Sequence, residues 1–292
     1  METQPTRTAL VTGASSGIGA AFARQLAAQG YQLILVARRK ERLATLVSQL
    51  KQQYHILAEP LVADLSDAAA VEHVEKRIAE LHSLEMLINN AGFGTWDKFA
   101  ESDLCPQLQM IQVHIIATMR LCRAALPGMI ARGSGSIINV SSIGAFLPAR
   151  RNVTYNATKA YLVFFSESLQ AELKGTGIQI QALCPGFTYT EFHDSPEYTR
   201  FNRSQVPQWL WSSAEEVAAA SLNALSRGKV VLVPGFKNRF LLAVARNSIT
   251  APLLRAASEP VLKDNKDVKA ETAGEKTIFS NPILTTWEER SD

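Results

Sequence analysis

Short apolar runs alternate with longer amphipathic segments along most of this chain. The apolar runs are rich in Val, Ile, Leu and Ala and occupy residues 9–11, 33–37, 61–65, 84–88, 136–140 and 178–183. Continuous runs of this length, separated by segments of helical period, are typical of strands that are buried on both faces of a parallel sheet. The pattern therefore predicts an α/β fold with helices on both faces of the sheet.

The first apolar run leads into a glycine-rich turn and then into a helix. Gly13, Gly17 and Gly19 stand in the spacing G-x3-G-x-G, and the residues that follow place Phe22 and Leu26 on one helical face. Glycine lets the backbone turn sharply and approach a pyrophosphate, whose charge then lies close to free amide groups at the helix N-terminus. The segment predicts a dinucleotide site, although its spacing differs from the common G-x-G-x-x-G pattern.

The second apolar run ends in basic residues. A protein selective for NAD usually has an acidic residue there, which binds the ribose 2′-hydroxyl, whereas this chain has Arg38 and Arg39. A guanidinium group suits a 2′-phosphate, so we expect NADP(H); the alternative is a solvated, basic start of the next helix. Asp64 is expected on the adenine side of the site, and Asn89 is expected to be either scaffold or a cofactor contact.

Three polar residues in the middle of the chain have the spacing of a proton-transfer site. A serine, Ser141 or Ser142, follows the fifth apolar run, Tyr155 comes later, and Lys159 lies four residues after Tyr155. On a helix this spacing places Tyr155 and Lys159 on one face. A nearby ammonium group lowers the pKa of a phenol, so the pair predicts a tyrosine that donates and accepts protons. The serine is expected to hold and polarise a carbonyl oxygen.

Several motifs, in the right order, resemble the short-chain dehydrogenase/reductase family over about residues 5–235. They are the glycine-rich segment 12–19, the Asn-Asn-Ala-Gly sequence 89–92, Ser142, Tyr155 and Lys159. The resemblance implies a Rossmann-type, doubly wound sheet of seven parallel strands. It implies an NADP(H)-dependent carbonyl reductase or alcohol dehydrogenase, acting on CH–OH groups as a homodimer or homotetramer. It also favours Ser142 over Ser141, because the family's serine usually precedes the tyrosine by thirteen residues.

The same resemblance identifies a set of residues that would bind the cofactor. It includes the Pro-Gly turn after the sixth apolar run, which the family places near the nicotinamide. The expected residues are Gly13, Ser15, Ser16, Gly17, Ile18, Gly19, Arg38, Arg39, Asp64, Leu65, Asn90, Ala91, Gly92, Tyr155, Lys159, Pro185, Gly186, Thr188 and Thr190.

One position departs from the family's pattern, which usually has asparagine where this chain has His114. In the family, the main-chain carbonyl of that asparagine is thought to hold a water that connects the lysine to solvent, and a main-chain group survives a change of side chain. The imidazole is expected to take the water's place, to bond to Lys159 or to pack, and its ordinary pKa suggests a pH-sensitive element. His114 is thus a candidate catalytic residue. It also leaves open an alternative, a catalytically weak NADP(H)-binding sensor or regulatory protein.

The segment of about residues 187–212 is irregular and rich in aromatic residues. Such a segment predicts a lid over an apolar or bulky substrate; the alternative is that the rings only anchor the loop. The substrate class stays open between lipid-like ketones, steroid-like or aromatic carbonyls, and acyl derivatives. The rings expected around the substrate are Phe192, Tyr198, Phe201, Trp209 and Trp211, with Trp96 and Phe146 from neighbouring loops.

Residues 1–235, including the lid, are predicted to form one catalytic domain, and residues 236–292 a C-terminal extension. The extension begins with an apolar and basic segment that predicts a helix over about 238–258, followed by a polar tail. This segment suits peripheral contact with an acidic membrane through residues 236–258. The simpler interpretation is a helix that packs over the substrate mouth or against another subunit.

Composition narrows the choice of partners. With 292 residues, 47% of them hydrophobic, the chain is long enough for one such domain but not for a second. A net charge of +3 without a dense basic tract argues against nucleic acid, and the three cysteines lack metal or disulfide spacing. The polar N-terminus argues against a signal peptide. The sequence contains no run of about 18 apolar residues, so it does not predict a transmembrane span. We therefore expect a cytoplasmic protein whose partner is a small carbonyl or alcohol.

Overall fold

A parallel sheet forms the centre of the computed structural model, which describes residues 7–194, 198 and 203–246. The strands are β1 (Thr8–Thr12), β2 (Gln32–Ala37), β3 (Ala58–Val62), β4 (Leu84–Asn89), β5 (Gly135–Val140), β6 (Ile178–Leu183), β7 (Thr188–Tyr189), β8 (Ser212–Ser213) and β9 (Val231–Leu232). Seven of them form the sheet in the order β3-β2-β1-β4-β5-β6-β9, and β7 pairs separately with β8. The predicted number of strands in the sheet is confirmed.

Helices connect the strands. They are α1 (Gly17–Ala28), α2 (Lys40–Tyr54), α3 (Ala68–Ala79), α4 (Leu104–Ile111), α5 (Thr118–Arg132), α6 (Val153–Glu172), α7 (Ala214–Leu225) and α8 (Phe236–Arg246). A π-helical turn, Gln112–Ala117, joins α4 to α5. Short 3-10 segments lie at Ile143–Phe146, Glu191–Asp194, Arg203–Gln205 and Gln208–Leu210.

Both faces of the sheet are covered. On one face, Phe22 of α1 and Leu43 of α2 are fully buried; on the other, Val74 of α3 and Leu121 of α5 are buried. Burial on both faces explains why the strands appear in the sequence as continuous apolar runs. The predicted Rossmann-type, doubly wound α/β class is therefore confirmed.

The strand order reverses beside β1, because the chain runs outward from β1 to β3 and then returns to β4 on the other side of β1. In open α/β sheets, ligands bind in the crevice at the carboxyl ends of the strands where such a reversal occurs. Thr12, the last residue of β1, ties the two strand ends together. Its hydroxyl accepts hydrogen bonds from the amides of Asn90 at 2.9 Å and Ala91 at 3.0 Å.

The stretch from α4 to α5, Leu104–Arg132, is 29 residues long. Among the described residues it is the one helix that is long and apolar enough to cross a membrane by length and composition. The core helix of a globular protein passes the same test. Met110, Leu121 and Met129 of this stretch are at most 1% exposed, and it packs against β4, β5 and α3.

The edge strand β9 runs parallel to β6 and therefore delivers the chain to the carboxyl ends of the strands. Helix α8 begins at Phe236, two residues before the helix predicted over 238–258. Asn238 of α8 is 4% exposed, and its side-chain amide donates to the carbonyl oxygen of Pro234 at 2.9 Å. The predicted second half of the helix and the polar tail, residues 247–292, lie outside the described residues.

Candidate active site

One cleft at the carboxyl ends of the strands gathers almost all of the predicted site residues. It has a cavity volume of about 570 Å³ and extends from the glycine-rich turn to the lid. Gly19 and His114 do not line it. The predicted residues that do are Gly13, Ser15, Ser16, Gly17, Ile18, Arg38, Arg39, Asp64, Leu65, Asn90, Ala91, Gly92, Ser142, Tyr155, Lys159, Pro185, Gly186, Thr188 and Thr190.

The glycine-rich turn depends on left-handed backbone angles at Gly13 (φ 64°) and Gly17 (φ 53°), which favour glycine. A Cβ atom at Gly13 would lie 2.8 Å from the side-chain nitrogen of Asn90. Gly19 is not in the wall: a Cβ atom there would collide with the carbonyl oxygen of Gly13, so this glycine lets α1 pack against the turn. Ser16 precedes α1 without a side-chain cap, and the first turn of α1 contains no acidic residue. The helix N-terminus can therefore receive an anion.

The basic residues after β2 lie beside this turn. Arg39 donates hydrogen bonds to the hydroxyl oxygens of Ser15 at 3.0 Å and Ser16 at 2.7 Å. Arg38 lies 3.6 Å from the carboxylate of Asp64. Two guanidinium groups and two hydroxyls at one end of the cleft are donors that suit a phosphate. The residues present thus fit a dinucleotide with a 2′-phosphate.

The two asparagines after β4 have different surroundings. Asn89 is buried, and its side-chain amide donates to the side chains of Asn139 at 2.9 Å and Cys122 at 3.3 Å. Of the two roles considered for Asn89, the structure supports scaffold. Asn90 lines the cleft, and its side-chain nitrogen donates to the carbonyl oxygen of Thr12 at 2.9 Å.

Ser142 and Tyr155 meet at the centre of the cleft. The Ser142 oxygen accepts a hydrogen bond from the amide of Gly144 at 3.0 Å, and the Ser142 side chain is also hydrogen-bonded to the Tyr155 phenol. The neighbouring Ser141 is 3% exposed and donates to the main-chain oxygen of Lys159 at 2.7 Å. The two serines therefore have separate tasks: Ser142 presents a hydroxyl to the cleft, and Ser141 holds α6 in place.

Lys159 is buried beside Tyr155, with its Nζ 5.6 Å from the centre of the tyrosine ring. The side chain is inside the protein, and Nζ donates to the carbonyl oxygen of Val140 at 2.8 Å. Burial lowers the pKa of Lys159 to about 7, because desolvation disfavours the charged form. Lys159 therefore exchanges a proton readily near neutral pH.

The pKa of Tyr155 differs from the sequence-based expectation. Instead of being lowered by the neighbouring ammonium, the pKa of Tyr155 is raised by burial to about 12, and the hydrogen bond with Ser142 offsets only part of that effect. The Nζ of Lys159 is bonded to the carbonyl of Val140, and burial reduces its own charge at neutral pH. The phenol is therefore protonated at neutral pH, the form that donates a proton.

His114 lies behind the wall of the cleft, in the π-helical turn. Its Nε2 accepts a hydrogen bond from the amide of Phe93 at 3.2 Å. Nδ1 therefore carries the ring proton and donates to the hydroxyl oxygen of Thr158 at 2.9 Å. Thr158 in turn donates to the main-chain oxygen of Tyr155 at 2.8 Å. The imidazole thus connects the segment after β4 to the first turn of α6.

This arrangement decides between the interpretations offered for His114. Its hydrogen bonds within the described structure go to Phe93 and Thr158 rather than to Lys159. Burial, with a smaller contribution from the charge of Lys159, lowers the pKa of His114 well below its ordinary value. The imidazole is neutral around pH 7, so the expectation of a pH-sensitive element is wrong. His114 positions the tyrosine-bearing helix.

Aromatic rings of the predicted lid line one side of the cleft. Phe192 lies 5.7 Å from Tyr155 and 5.2 Å from Tyr198, and Trp96 lies 6.1 Å from Tyr198, measured between ring centres. Phe192, Tyr198 and Trp96 also line the cavity. These rings pack against one another and also line the cavity, so they do more than anchor the loop.

Other rings assigned to the pocket are placed elsewhere. Trp211 packs against Tyr189 with ring centres 4.9 Å apart and does not line the cavity. Trp209 is 55% exposed, and Phe146 packs against the buried cluster of Val163, Ala182 and Cys184; neither ring lines the cavity. The expectation that these three rings surround the substrate is wrong. Phe201 lies outside the described residues.

Sequence reasoning missed three contacts that join distant segments at the cleft. Thr158 connects His114 to Tyr155. A helix over the substrate mouth was among the predictions, but its contacts were not: Asn238 of α8 packs directly on Gly186, and Leu241 of the same helix lines the cavity. Glu191 forms ion pairs with the arginines after β2. An acidic residue beside a predicted cofactor segment was the available signal for Glu191, but no spacing pairs it with an arginine.

Known proteins resemble this chain over most of its length. The family model described as short chain dehydrogenase matches residues 7–199. A Haemophilus influenzae protein named "Probable NADP-dependent dehydrogenase" is 36% identical over 200 residues, which are 66% of this chain and 78% of that protein.

Two solved structures share the fold over most of the chain. A short-chain dehydrogenase from Sphingobium yanoikuyae in complex with NADPH has a TM-score of 0.74 and 31% identity, covering 90% of this chain and 98% of that one. A bulky-bulky ketone specific alcohol dehydrogenase from Comamonas testosteroni has a TM-score of 0.71 and 30% identity, covering 91% of this chain and 98% of that one.

Proposed function

This chain belongs to the short-chain dehydrogenase family, and we propose that it is an NADP(H)-dependent oxidoreductase that interconverts a bulky, apolar ketone and the corresponding secondary alcohol. One observation carries the proposal. The protonated phenol of Tyr155, hydrogen-bonded to Ser142, lies in the same cleft as the glycine-rich turn.

Ser142 and Tyr155 would act on the oxygen of the substrate. The Ser142 oxygen accepts the amide of Gly144, and the Ser142 hydroxyl, which is hydrogen-bonded to the Tyr155 phenol, would donate its proton to a carbonyl oxygen bound between the two side chains. Tyr155, protonated at neutral pH, donates its proton to the oxygen as the carbonyl is reduced, and it accepts that proton in the reverse direction. Lys159, with a pKa of about 7, then returns a proton to the phenol at neutral pH.

The cofactor assignment rests on the hydrogen-bond donors in and beside the glycine-rich turn. The amides at the N-terminus of α1 would hold the pyrophosphate, and Arg38, Arg39 and Ser15 would hold the 2′-phosphate. When bound, NADP(H) supplies or accepts the hydride at its nicotinamide. The H. influenzae relative, named for NADP, and the S. yanoikuyae structure with NADPH support this choice.

The substrate assignment rests on the wall of the cavity. The cavity that contains Tyr155 is also lined by the large side chains of Phe192, Tyr198, Trp96 and Leu241, and apolar walls favour apolar ligands. The C. testosteroni enzyme, named for bulky ketones, supports a bulky substrate. We further propose reduction as the physiological direction, because cells usually keep the NADP pool reduced.

The cellular setting is also a proposal. We propose a cytoplasmic protein with residues 1–235 as its catalytic domain, and a homodimer or homotetramer in keeping with the family resemblance. Peripheral membrane contact through α8 is supported by Phe236 and Phe240, which are 72% and 60% exposed beside Lys237 and Arg239.

The test is NADPH oxidation by the full chain over a panel of ketones graded by size, repeated with NADH. Tyr155→Phe is expected to lower kcat about 10²- to 10⁴-fold and to leave NADPH binding within about twofold of the parent. Tyr161→Phe on the same helix is the matched control and is expected to keep activity, because its ring stacks on Phe165 away from the cleft. Equal turnover in Tyr155→Phe would contradict the mechanism, and equal or better use of NADH would contradict the cofactor choice.

A second candidate function, a catalytically weak NADP(H)-binding sensor, is favoured by one observation: a buried histidine stands where the family usually has asparagine. It predicts tight NADPH binding without turnover of any ketone in the panel, and activity gained in His114→Asn. Turnover by the parent protein would exclude it.

A further inference from the structure

Glu191 connects the lid to the basic residues at the cofactor end of the cleft. Its two carboxylate oxygens accept hydrogen bonds from Nη1 of Arg39 at 2.6 Å and from Nη1 of Arg42 at 2.5 Å. These arginines hold the pKa of Glu191 below its ordinary value, so the side chain is an anion at neutral pH. The remaining nitrogens of Arg39 donate to the hydroxyls of Ser15 and Ser16.

This carboxylate occupies the same donor set that a 2′-phosphate needs. Arg39, Ser15 and Glu191 all line the cleft, and the proposed function places the 2′-phosphate at Arg39 and Ser15. A carboxylate and a phosphate bind a guanidinium through the same planar N–H groups. Two anions side by side also repel each other, so full occupancy of the site by the phosphate requires Glu191 to give up Arg39 or to share it at a cost.

We propose that Glu191 is a specificity-determining residue that competes with the 2′-phosphate of NADP(H) for Arg39, and that the bound phosphate leaves Glu191 paired with Arg42 alone. The inference rests on the proposed function, since it concerns the same cofactor site. The cost of the exchange is small, because the side chains of Arg39, Arg42 and Glu191 are 42%, 53% and 49% exposed, and exposed ion pairs contribute little net stability.

The position of Glu191 in the chain couples this exchange to the substrate side. Glu191 is the first residue of the 3-10 segment Glu191–Asp194, and the next residue, Phe192, packs against Tyr155. The other end of the segment is held separately, because Arg203 lies 3.0 Å from the carboxylate of Asp194. A change of partner at Glu191 therefore acts on the apolar wall of the cavity through one peptide bond.

The experiment isolates the adenosine end of the site and needs no substrate. Binding of 2′,5′-ADP and of 5′-AMP to the full chain is measured by titration calorimetry, for the parent, Glu191→Gln and Asp194→Asn. Glu191→Gln removes the competing charge and keeps the shape of the side chain, and it is expected to tighten 2′,5′-ADP binding about three- to tenfold. Binding of 5′-AMP, which lacks the 2′-phosphate, is expected to stay within about twofold. Asp194→Asn removes one charge from the same segment without touching Arg39, and is expected to change neither ligand.

The outcomes separate this inference from the proposed function. If the parent binds 2′,5′-ADP no better than 5′-AMP, the NADP(H) assignment fails and the inference fails with it. If the parent prefers 2′,5′-ADP but Glu191→Gln binds it equally or more weakly, the inference is overturned while the proposed function stands. An equal gain in Asp194→Asn also overturns it, because the effect would then belong to net charge. Thermal unfolding of each variant checks that it is folded.

Discussion

The glycine-rich turn and the lid face each other across one cleft, and they are held in different ways. The turn is a backbone structure: it depends on the φ angles of Gly13 and Gly17 and on the bond from Asn90 to the carbonyl of Thr12. The lid has one short backbone pairing, between β7 and β8, and is otherwise held by side chains: ring contacts around Phe192 and ion pairs of arginine hold its short 3-10 segments. Backbone demands restrict which residue types can stand at a position, whereas ring packing accepts many combinations.

Lys159→Met removes the buried amine that lies in the cleft between the glycine-rich turn and the lid, and it is expected to have the largest effect on turnover. Turnover should fall about 10²-fold or more, because the phenol loses its proton partner. The variant should nevertheless be more stable than the parent below pH 7, on the order of 1 to 3 kcal/mol, since a desolvated ammonium is removed and one bond to Val140 is lost. Urea unfolding and steady-state kinetics measure the two effects.

The shifted pKa of Lys159 should also make the stability of the parent protein depend on pH. The pKa of Lys159 is about 7 in the folded protein and about 10.4 in an unfolded chain. Between these values the unfolded state binds more protons, so the unfolding free energy of the parent should rise with pH across this window. The rise should be smaller in Lys159→Met and unchanged in Lys51→Met, a surface control on α2. A rise of equal size in all three proteins would show that Lys159 is not desolvated.

Gly17→Ala tests the point where the turn touches the lid. An added Cβ atom would lie 2.8 Å from the methyl carbon of Thr190, and the φ angle of Gly17 is 53°. We expect a loss of about 1 to 2 kcal/mol in unfolding free energy from the left-handed angle and roughly tenfold weaker NADPH binding. Gly30→Ala is the matched control, since it shares a positive φ but has open space around it. Equal NADPH binding in the two variants would show that the close approach of Gly17 to Thr190 does not affect the cofactor site.

Phe192→Ala tests the lid alone and is expected to have the smallest effect. Loss of the ring removes apolar surface beside Tyr155, so kcat/KM for the largest ketones should fall roughly fivefold to tenfold, with little change for the smallest. Trp209→Ala, an exposed residue of the same region, should leave the profile unchanged. An equal loss for ketones of every size would mean that Phe192 holds the ring of Tyr155 in position and does not set the size of the substrate pocket.

The difference between the turn and the lid also explains which features of the molecule could be predicted from the sequence. The sheet was predictable because its strands are buried on both faces, and the turn because glycine at defined spacing has few other causes. The partner of Glu191 was not predictable, since Arg39 lies 152 residues away and the pair has no periodicity. The pKa of Tyr155 was predicted in the wrong direction because spacing on a helix shows which residues are neighbours, but not how deeply they are buried.

The π-helical turn that contains His114 also accommodates the length of the chain between α4 and α5. A π turn takes up one residue more than an α turn. Without such a turn, one extra residue in a continuous α-helix would rotate everything after it by about 100°, and Leu121, Cys122 and Ala125, now buried, would turn away from the sheet. Because the π turn absorbs the residue locally, the fifteen-residue helix that follows keeps its inner face.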